Sequence, residues 1–337
     1  MRKIVSFGLW ACALLANAYL ATRWLTGDRF LAVRLANYFL PWIGCALLIC
    51  LAAALLYRCR KVSVALMVPL GVIGSIYAPF FFHCLHCAAA EGPVIKVMSY
   101  NVMSDNEDMA ACAALIKHEK PDILLLQEIN HRNLQELLAD LDDVGAAAPL
   151  KAAYDDENLG AIISRFSIEY FDRFPGKNRA QKARLESPYG SLTVINVHAV
   201  RSGWSVRHRG MEELLEDVLS ENGPLILAGD FNTTEQSQTF QFLEKHLVNT
   251  HNEAGCGFGF SFPARTHSGI FFNPFGLKLL PFIRIDHIFH NDQLTTLKSY
   301  TASDSGGSDH FPVIAELAFK NARGEGAWSL RPEAEGS

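Results

Sequence analysis

Three long stretches without a single charged residue occupy the start of this 337-residue chain. Ile4–Thr22 runs 19 residues between Lys3 and Arg23, Leu35–Tyr57 runs 23 between Arg34 and Arg58, and Val62–Phe82 runs 21 after Lys61. A helix needs about 20 apolar residues to cross the hydrocarbon core of a bilayer, and each stretch reaches that length. Soluble cores rarely use three such runs in succession, so the expectation is three transmembrane helices. Ile4–Ala21 alone also fits a signal peptide, because Ala16-Asn17-Ala18 is cleavage-like.

Charge orients these helices. Arg58, Arg60 and Lys61 crowd the short turn between the second and third stretches. Short loops rich in Lys and Arg stay cytoplasmic, and Arg2 and Lys3 place the N-terminus on the same side. The third helix then ends outside. Arg23, Arg29 and Arg34, with only Asp28 against them, pull the other way; the tight Arg58–Lys61 turn is the stronger signal. The rest of the chain is acidic, with 22 Lys/Arg against 33 Asp/Glu after Gly92, a balance of −11. Such a field repels a polyanion and argues against an indiscriminate nucleic-acid binder. Of the eight cysteines, Cys12, Cys45 and Cys50 lie in apolar stretches as small hydrophobes. Cys84 and Cys87 form one CxxC just past the third stretch, which suits a local disulfide or membrane-edge packing better than a metal site.

Beyond the short 88–93 linker the pattern changes. Val94–Met98, Ala161–Ser164, Leu192–Val197, Ile283–Phe289 and Val313–Phe319 read as strands, and Ile123–Leu126 and Leu225–Ala228 as strands buried on both faces. Met109–His118, Asn133–Leu141, Gly210–Ser220 and Thr239–Leu247 read as helices. Strands alternating with helices predict α/β layers.

Polar residues punctuate the strand ends. Asp230 and Asn232 lie two apart on an extended segment, which projects them to one side. A carboxylate there orients a water and the amide contacts a phosphate oxygen; a plain turn uses the same residue types. Glu128 ends the apolar ILLLQ run, where a carboxylate is costly unless paired or metal-bound. Few hard oxygen donors suit Mg²⁺, which keeps waters and shares substrate phosphate, with Mn²⁺ as the alternative ion. Asn101 and His198, taken alone, read as structural residues. Asp309 and His310 follow the Gly-rich 305–308 turn, and Asp286 lies on another strand; a carboxylate holding a charged His ring is sound catalytic design.

These residues fall in seven motifs of fixed order: SYN (Ser99–Asn101), QE (Gln127–Glu128), GAIISR (Gly160–Arg165), NVH (Asn196–His198), GDFN (Gly229–Asn232), RIDHIF (Arg284–Phe289) and SDH (Ser308–His310). The set resembles the endonuclease/exonuclease/phosphatase superfamily, with the DNase-I-like fold, over roughly Val94–Phe319. The resemblance implies a four-layer α/β sandwich behind three transmembrane helices. It implies that Glu128 is the main metal ligand, assisted by Asn101, with Asp309 near the metal and water. Asp230 would orient the attacking water, while Asn232, His198 and His310 hold the phosphoryl group and Asp286 pairs with His310. His287 reads as structural. The implied reaction is metal-dependent hydrolysis of a phosphate ester or anhydride, without a covalent phosphoenzyme.

The expected layout is a membrane domain at 1–87, the linker at 88–93, a catalytic domain at 94–320 and a polar tail at 321–337. Membrane helices followed by this domain resemble the bacterial group that includes the VanJ and YafD proteins. That implies a multi-pass protein of the bacterial inner (cytoplasmic) membrane with an extracytoplasmic catalytic domain. The expected partners are the lipid bilayer and a phosphorylated substrate, a lipid-linked pyrophosphate being one candidate; nucleic acid is the lesser candidate, and no protein partner is evident. Phe271–Phe282 is strongly apolar, either a packed hairpin or a membrane-facing loop. Arg201, Arg207 and Arg209 either grip a second phosphate or lie on a solvated loop. The competing readings are an Mg-dependent extracytoplasmic nuclease and a non-catalytic membrane-anchored interaction module; the intact metal and water-positioning residues argue against the last.

Overall fold

A computed structural model describes residues 2–82, 92–142, 150–174, 179–201, 203–264 and 280–320. Cys84 and Cys87, most of the apolar 271–282 segment and the 321–337 tail lie outside the described residues.

The apolar N-terminal region folds into α1 (Arg2–Thr26), α2 (Leu31–Tyr38), α3 (Leu40–Leu56), α4 (Arg60–Tyr77) and the short α5 (Pro79–Phe82). Two helices, α1 and α4, are long and apolar enough to cross a membrane. The second expected span is broken: α2 and α3 meet that criterion only as a pair, bent by 75°. Pro41 supplies the cause. Its ring removes a backbone donor and clashes with the carbonyl four residues back, which favours a kink or break at Asn37–Pro41. The described residues thus hold two helices long and apolar enough to cross a membrane, or up to three if the bent pair is one span. Arg58 closes α3 in a left-handed conformation (φ 55°). Ile4, Phe7, Leu14, Leu15, Ile49 and Leu56 stay exposed on these helices, as an apolar surrounding permits.

The remaining chain builds β1 (Val94–Asn101), α6 (Met109–Glu119), β2 (Ile123–Gln127), α7 (His131–Asp142), β3 (Lys151–Asp155), β4 (Gly160–Ser164), β5 (Ser167–Arg173), β6 (Ala180–Ser187), β7 (Gly190–His198), α8 (Trp204–Ser220), β8 (Leu225–Asp230), α9 (Gln238–Glu244), β9 (Val248–Asn249), α10 (Thr250–Ala254), β10 (Asp286–His290), β11 (Leu294–Thr301) and β12 (Val313–Phe319). They form two six-stranded mixed sheets, ordered β11-β12-β1-β2-β4-β3 and β5-β6-β7-β8-β10-β9. Ile95, Val97, Leu125, Val194, Ile226 and Ala315 pack between the sheets. Met98, Leu124, Leu126 and Ile163 turn outward under Cys112, Ile116 and Leu137 of α6 and α7. Ile195 and Leu227 turn outward under Leu214, Val218 and Phe240 of α8 and α9. The result is helix, sheet, sheet, helix.

Register places the punctuating residues at one end of both sheets. Parallel pairing sets Asn101 beside Gln127, the residue before Glu128, and His198 beside Asp230. Antiparallel pairing sets Asp286 opposite Asp230. Gly229 makes the last step tight. At φ 151°, a Cβ there would lie 1.8 Å from the Val197 carbonyl oxygen, so only glycine lets β8 run this close to β7.

The apolar helices dock on the two-sheet domain. Tyr38 donates to the Asn232 carbonyl (3.2 Å), Trp42 to that of Phe282 (3.1 Å), and Gln236 to the Tyr77 hydroxyl (2.5 Å). Phe39 stacks on Phe282, and Trp42 on Phe260.

Candidate active site

Asp230 is the centre. Its carboxylate is fully buried at the end of β8, and donors surround it. Oδ1 accepts from the Asn232 backbone N–H (2.8 Å); Oδ2 accepts from the side chains of Asn101 and Asn232, both at 3.2 Å. These bonds offset the cost of removing a carboxylate from water. Asn232 holds a left-handed conformation (φ 48°), which bends its side chain back onto Asp230 and the Ala199 carbonyl (2.8 Å). Arg207, beneath, donates to the Asn232 carbonyl at 2.7 Å.

Glu128 follows β2 and also has a positive φ, 54°. For a residue with a Cβ this is strained backbone, a state that clusters at functional sites. The turn brings Glu128 Oε1 to 3.1 Å from Asn101 Nδ2 and 3.3 Å from His198 Nε2. Asn101 fixes its own amide by accepting from the Met103 backbone N–H. His198 Nε2 lies 3.8 Å from Asp230 Oδ2. Burial lowers the His198 pKa; Asp230 and Glu128 pull it up, and Arg179 and Arg201 push it down further. His198 is therefore a neutral imidazole at neutral pH.

His310 is the opposite case. Its Nδ1 lies 2.9 Å from Asp286 Oδ2, and its Nε2 3.9 Å from Asp230 Oδ2 and 4.0 Å from Asp309 Oδ1. Burial favours the neutral ring, but the Asp286, Asp230 and Asp309 carboxylates overcome it and push the pKa up to about 10. Asp286 is itself raised by burial, with His310 opposing; the proton of this pair belongs on the ring, where three carboxylates share its charge. Burial also raises Asp309. Among the described residues the buried His310 Nε2 has no hydrogen-bond partner, so a charged donor points into the site with nothing to bond.

The structure therefore brings Asn101, Glu128, His198, Asp230, Asn232, Asp286, Asp309 and His310 to one rim. Glu128, His198 and Asp230 place one ligand-type atom each within 4.8 Å of one another, as do Asp230, Asp286 and His310. Asn101 turns its amide nitrogen, not its oxygen, toward Glu128 and Asp230. His287 points away, donating from Nε2 to the Thr233 carbonyl (2.9 Å) among Phe231, Phe240 and Phe289. Of the three arginines, Arg201 lies 3.9 Å from Glu128, Arg207 braces Asn232, and Arg209 is exposed on α8.

Sequence reasoning misses several supporting residues. Ser261 donates to Asp286 Oδ2 at 2.6 Å, and nothing around it in sequence marks it. Ser308 donates to the Asn101 carbonyl and receives the His310 backbone N–H, tying SDH to SYN. Gln127 and Asn196 bond across the sheets at 2.6 Å, and Asn196 bonds Gln181 at 2.8 Å. Their signal was an amide inside an apolar strand.

The family model described as Endonuclease/Exonuclease/phosphatase family matches residues 98–310. The chain belongs to the endonuclease/exonuclease/phosphatase family. This family comprises hydrolases that act on phosphoesters. Solved structures share its fold at low identity. An endonuclease/exonuclease/phosphatase family protein from Bacteroides thetaiotaomicron is 20% identical, covering 70% of this chain and 99% of its own, with a TM-score of 0.55. The mannosyl-6-phosphatase Bt3783 of the same species is 21% identical, covering 67% and 100%, with a TM-score of 0.52. Truncated TDP2 from Caenorhabditis elegans is 20% identical, covering 67% and 97%, with a TM-score of 0.51. No curated protein matches the chain.

Proposed function

We propose that this protein is a membrane-anchored, metal-dependent phosphoesterase that hydrolyses a lipid-linked pyrophosphate at the outer face of a bacterial inner membrane. Residues 1–87 anchor it, and 94–320 carry the chemistry. The carrying observation is a groove of about 290 Å³ between the bent helix pair and the catalytic rim. Leu35, Tyr38, Phe39 and Phe282 give it apolar walls, and Arg201, Arg207 and Asn232 close its polar end. An apolar channel that starts at membrane helices and ends at a phosphate-type site suits a substrate with a lipid tail and a charged head. It favours a lipid substrate over DNA, as does the acidic balance of the domain. Cys256 is disulfide-bonded, which supports an oxidising, extracytoplasmic compartment.

The donor set suits a hard cation. Glu128, Asp230 and Asp309 offer carboxylate oxygens, the chemistry of Mg²⁺ or Mn²⁺, and Asn101 braces Glu128 and Asp230 through its amide nitrogen. When bound, such an ion neutralises charge on the phosphoryl oxygens. The protein's own residues do the rest. Asp230, clamped by Asn101 and Asn232, orients and accepts the proton of an attacking water. The His310 imidazolium donates through Nε2 to a phosphoryl oxygen, where its charge is worth most in a closed, dry site. Neutral His198 adds a second contact. These groups are already held in place, so catalysis is mainly positioning and electrostatics.

The test runs Mg²⁺-dependent phosphate release from lipid pyrophosphate beside plasmid cleavage. Expected is release from the lipid substrate, reduced about 10²–10³-fold by Glu128→Gln with the circular dichroism unchanged. Plasmid cleavage in preference to lipid hydrolysis overturns the substrate reading; full activity of Glu128→Gln at limiting Mg²⁺ removes Glu128 from the metal site.

A further inference from the structure

A second cavity, of about 480 Å³, shares no lining residue with the catalytic groove. It lies where the end of α1 and the following loop meet α4 and the start of α9. Three chemistries line it. Leu20, Trp24 and Val72 present apolar surface on the two helices long enough to cross a bilayer. Arg23 contributes a guanidinium, one nitrogen of which donates to the Gln236 carbonyl at 3.2 Å. Asp28 contributes a carboxylate only 4% exposed.

Asp28 Oδ1 is buried and has no hydrogen-bond partner among the described residues, and the same holds for Gln238 Oε1 on the cavity wall. Leaving buried acceptors unpaired costs about 1–3 kcal/mol each, more for a charge. The missing partner must be a donor, and beside a carboxylate it is best a cation. Arg23, on the same wall, calls for an anion. Trp24 and Arg23 at the end of an apolar helix mark the depth of the headgroup layer, where phospholipids carry both charges. A zwitterion with a diacyl tail satisfies all three walls at once.

We propose that this cavity binds the headgroup of an aminophospholipid, with its phosphate at Arg23, its ammonium at Asp28 and Gln238, and its glycerol-acyl region along Leu20, Trp24 and Val72. The assignment rests on the membrane-anchored reading above but not on the phosphoesterase reading. The bound lipid acts as a strap. It joins the end of α1 to the loop and start of α9, where Gln236 already holds Tyr77 of α4, and so fixes the height of the catalytic rim above the bilayer.

The test is native mass spectrometry of the full chain in detergent, with phosphatidylethanolamine, its mono- and dimethyl derivatives, phosphatidylcholine or phosphatidylglycerol added at equal concentration. Soluble phosphoethanolamine serves as a separate competitor arm and shows whether the headgroup binds without its tail. Expected is about tenfold or greater retention of phosphatidylethanolamine over phosphatidylcholine, as a buried charge pair implies. Retention falls stepwise with each methyl that removes an ammonium proton, and Asp28→Asn abolishes the preference. The methylation series is read on the wild type, so it decides even where Asp28→Asn does not fold. Equal retention of phosphatidylethanolamine and phosphatidylcholine overturns the proposal, and so does tighter retention of phosphatidylglycerol, which would assign the site to an anion. Glu128→Gln retains phosphatidylethanolamine like the wild type even where no hydrolysis is found. Loss of all lipids alike signals that the membrane reading, not the headgroup assignment alone, has failed.

Discussion

Two histidines face the same buried carboxylate, yet one is neutral and the other charged. His198 and His310 lie 3.8 and 3.9 Å from Asp230 Oδ2. What separates them is the company on the far side. His198 loses more to burial than Asp230 and Glu128 return, and two arginines oppose its charge. His310 has Asp286 at 2.9 Å in addition. Asp286 is thus a positioning residue that acts through His310. Asp286→Asn and His310→Ala should each lower hydrolysis about 10²–10³-fold, and the double variant should be little worse than His310→Ala alone. In Asp286→Asn the His310 ring should also titrate well below about 10 by imidazole NMR, which a merely structural Asp286 would not cause. Independent, multiplying losses would break the pairing. The acidic and imidazole residues of this cluster were legible in the sequence because each falls in one of the seven ordered motifs; taken alone, His198 reads as structural. Ser261 was not: its role comes from the Phe262–Ile283 bridge that brings residues 261 and 286 together, and no local pattern encodes that contact.

Strand β8 shows how an element carries the site. It is buried on both faces, pairs parallel to β7 and antiparallel to β10, and ends in Gly229-Asp230. Gly229→Ala forces a Cβ into the Val197 carbonyl, so it should destabilise the domain by about 2–4 kcal/mol; a midpoint in chemical denaturation within error of wild type would refute the close approach. A second test lies at α10. Burial pushes the Glu253 carboxyl up, but bonds from His290 and Thr296 overcome it and bring its pKa down to about 2. Since the folded value lies below the ordinary one near 4.5, this stabilisation is complete above that value and disappears as the pH falls from there toward about 2. Glu253→Gln should therefore cost about 1 kcal/mol near neutrality, allowing for its partial exposure, and nothing near pH 2. A pH-independent difference would sink it. Strands β2 and β8 were legible as continuous apolar runs, and β12 as a largely apolar one. Strands β3, β5, β6 and β11 were not, because exposed faces fill them with charged and polar residues, as in SIEYFDR and AQKARLES. Helix α9 stops at Glu244, not Leu247, and β10 begins at Asp286, three residues late. The bend at Phe39 escaped because apolar length says nothing about straightness, although Pro41 carried the signal.

At the scale of the whole molecule, the apolar helices and the catalytic rim are one construction. Tyr38 reaches the carbonyl of Asn232, a residue of the active rim, and Arg207 reaches that same oxygen from the other side. A shift of α2 relative to the sheet would therefore move Asn232, and with it a donor to Asp230. The apolar helices do more than precede the domain: Leu35, Tyr38 and Phe39 complete the wall of the groove that reaches Asn232. Which leaflet feeds that groove depends on topology. The Arg58–Lys61 turn and Arg2 and Lys3 favour the cytoplasm, whereas Arg23, Arg29 and Arg34 counter them. The disulfide at Cys256 favours an oxidising side, because thiols stay reduced in the cytoplasm. A bent α2–α3 pair gives the same outcome if it counts as one span, since three crossings bring the chain from a cytoplasmic N-terminus to the outside. If the pair were re-entrant, two crossings would return it to the cytoplasm. Fusing alkaline phosphatase after Phe319 distinguishes the two. The expected result is an active fusion, and a matching fluorescent fusion that stays dark when exported through the same path. An inactive phosphatase beside a bright cytoplasmic reporter would make α2–α3 re-entrant, place Cys256 in a reducing compartment and move the substrate to the inner leaflet.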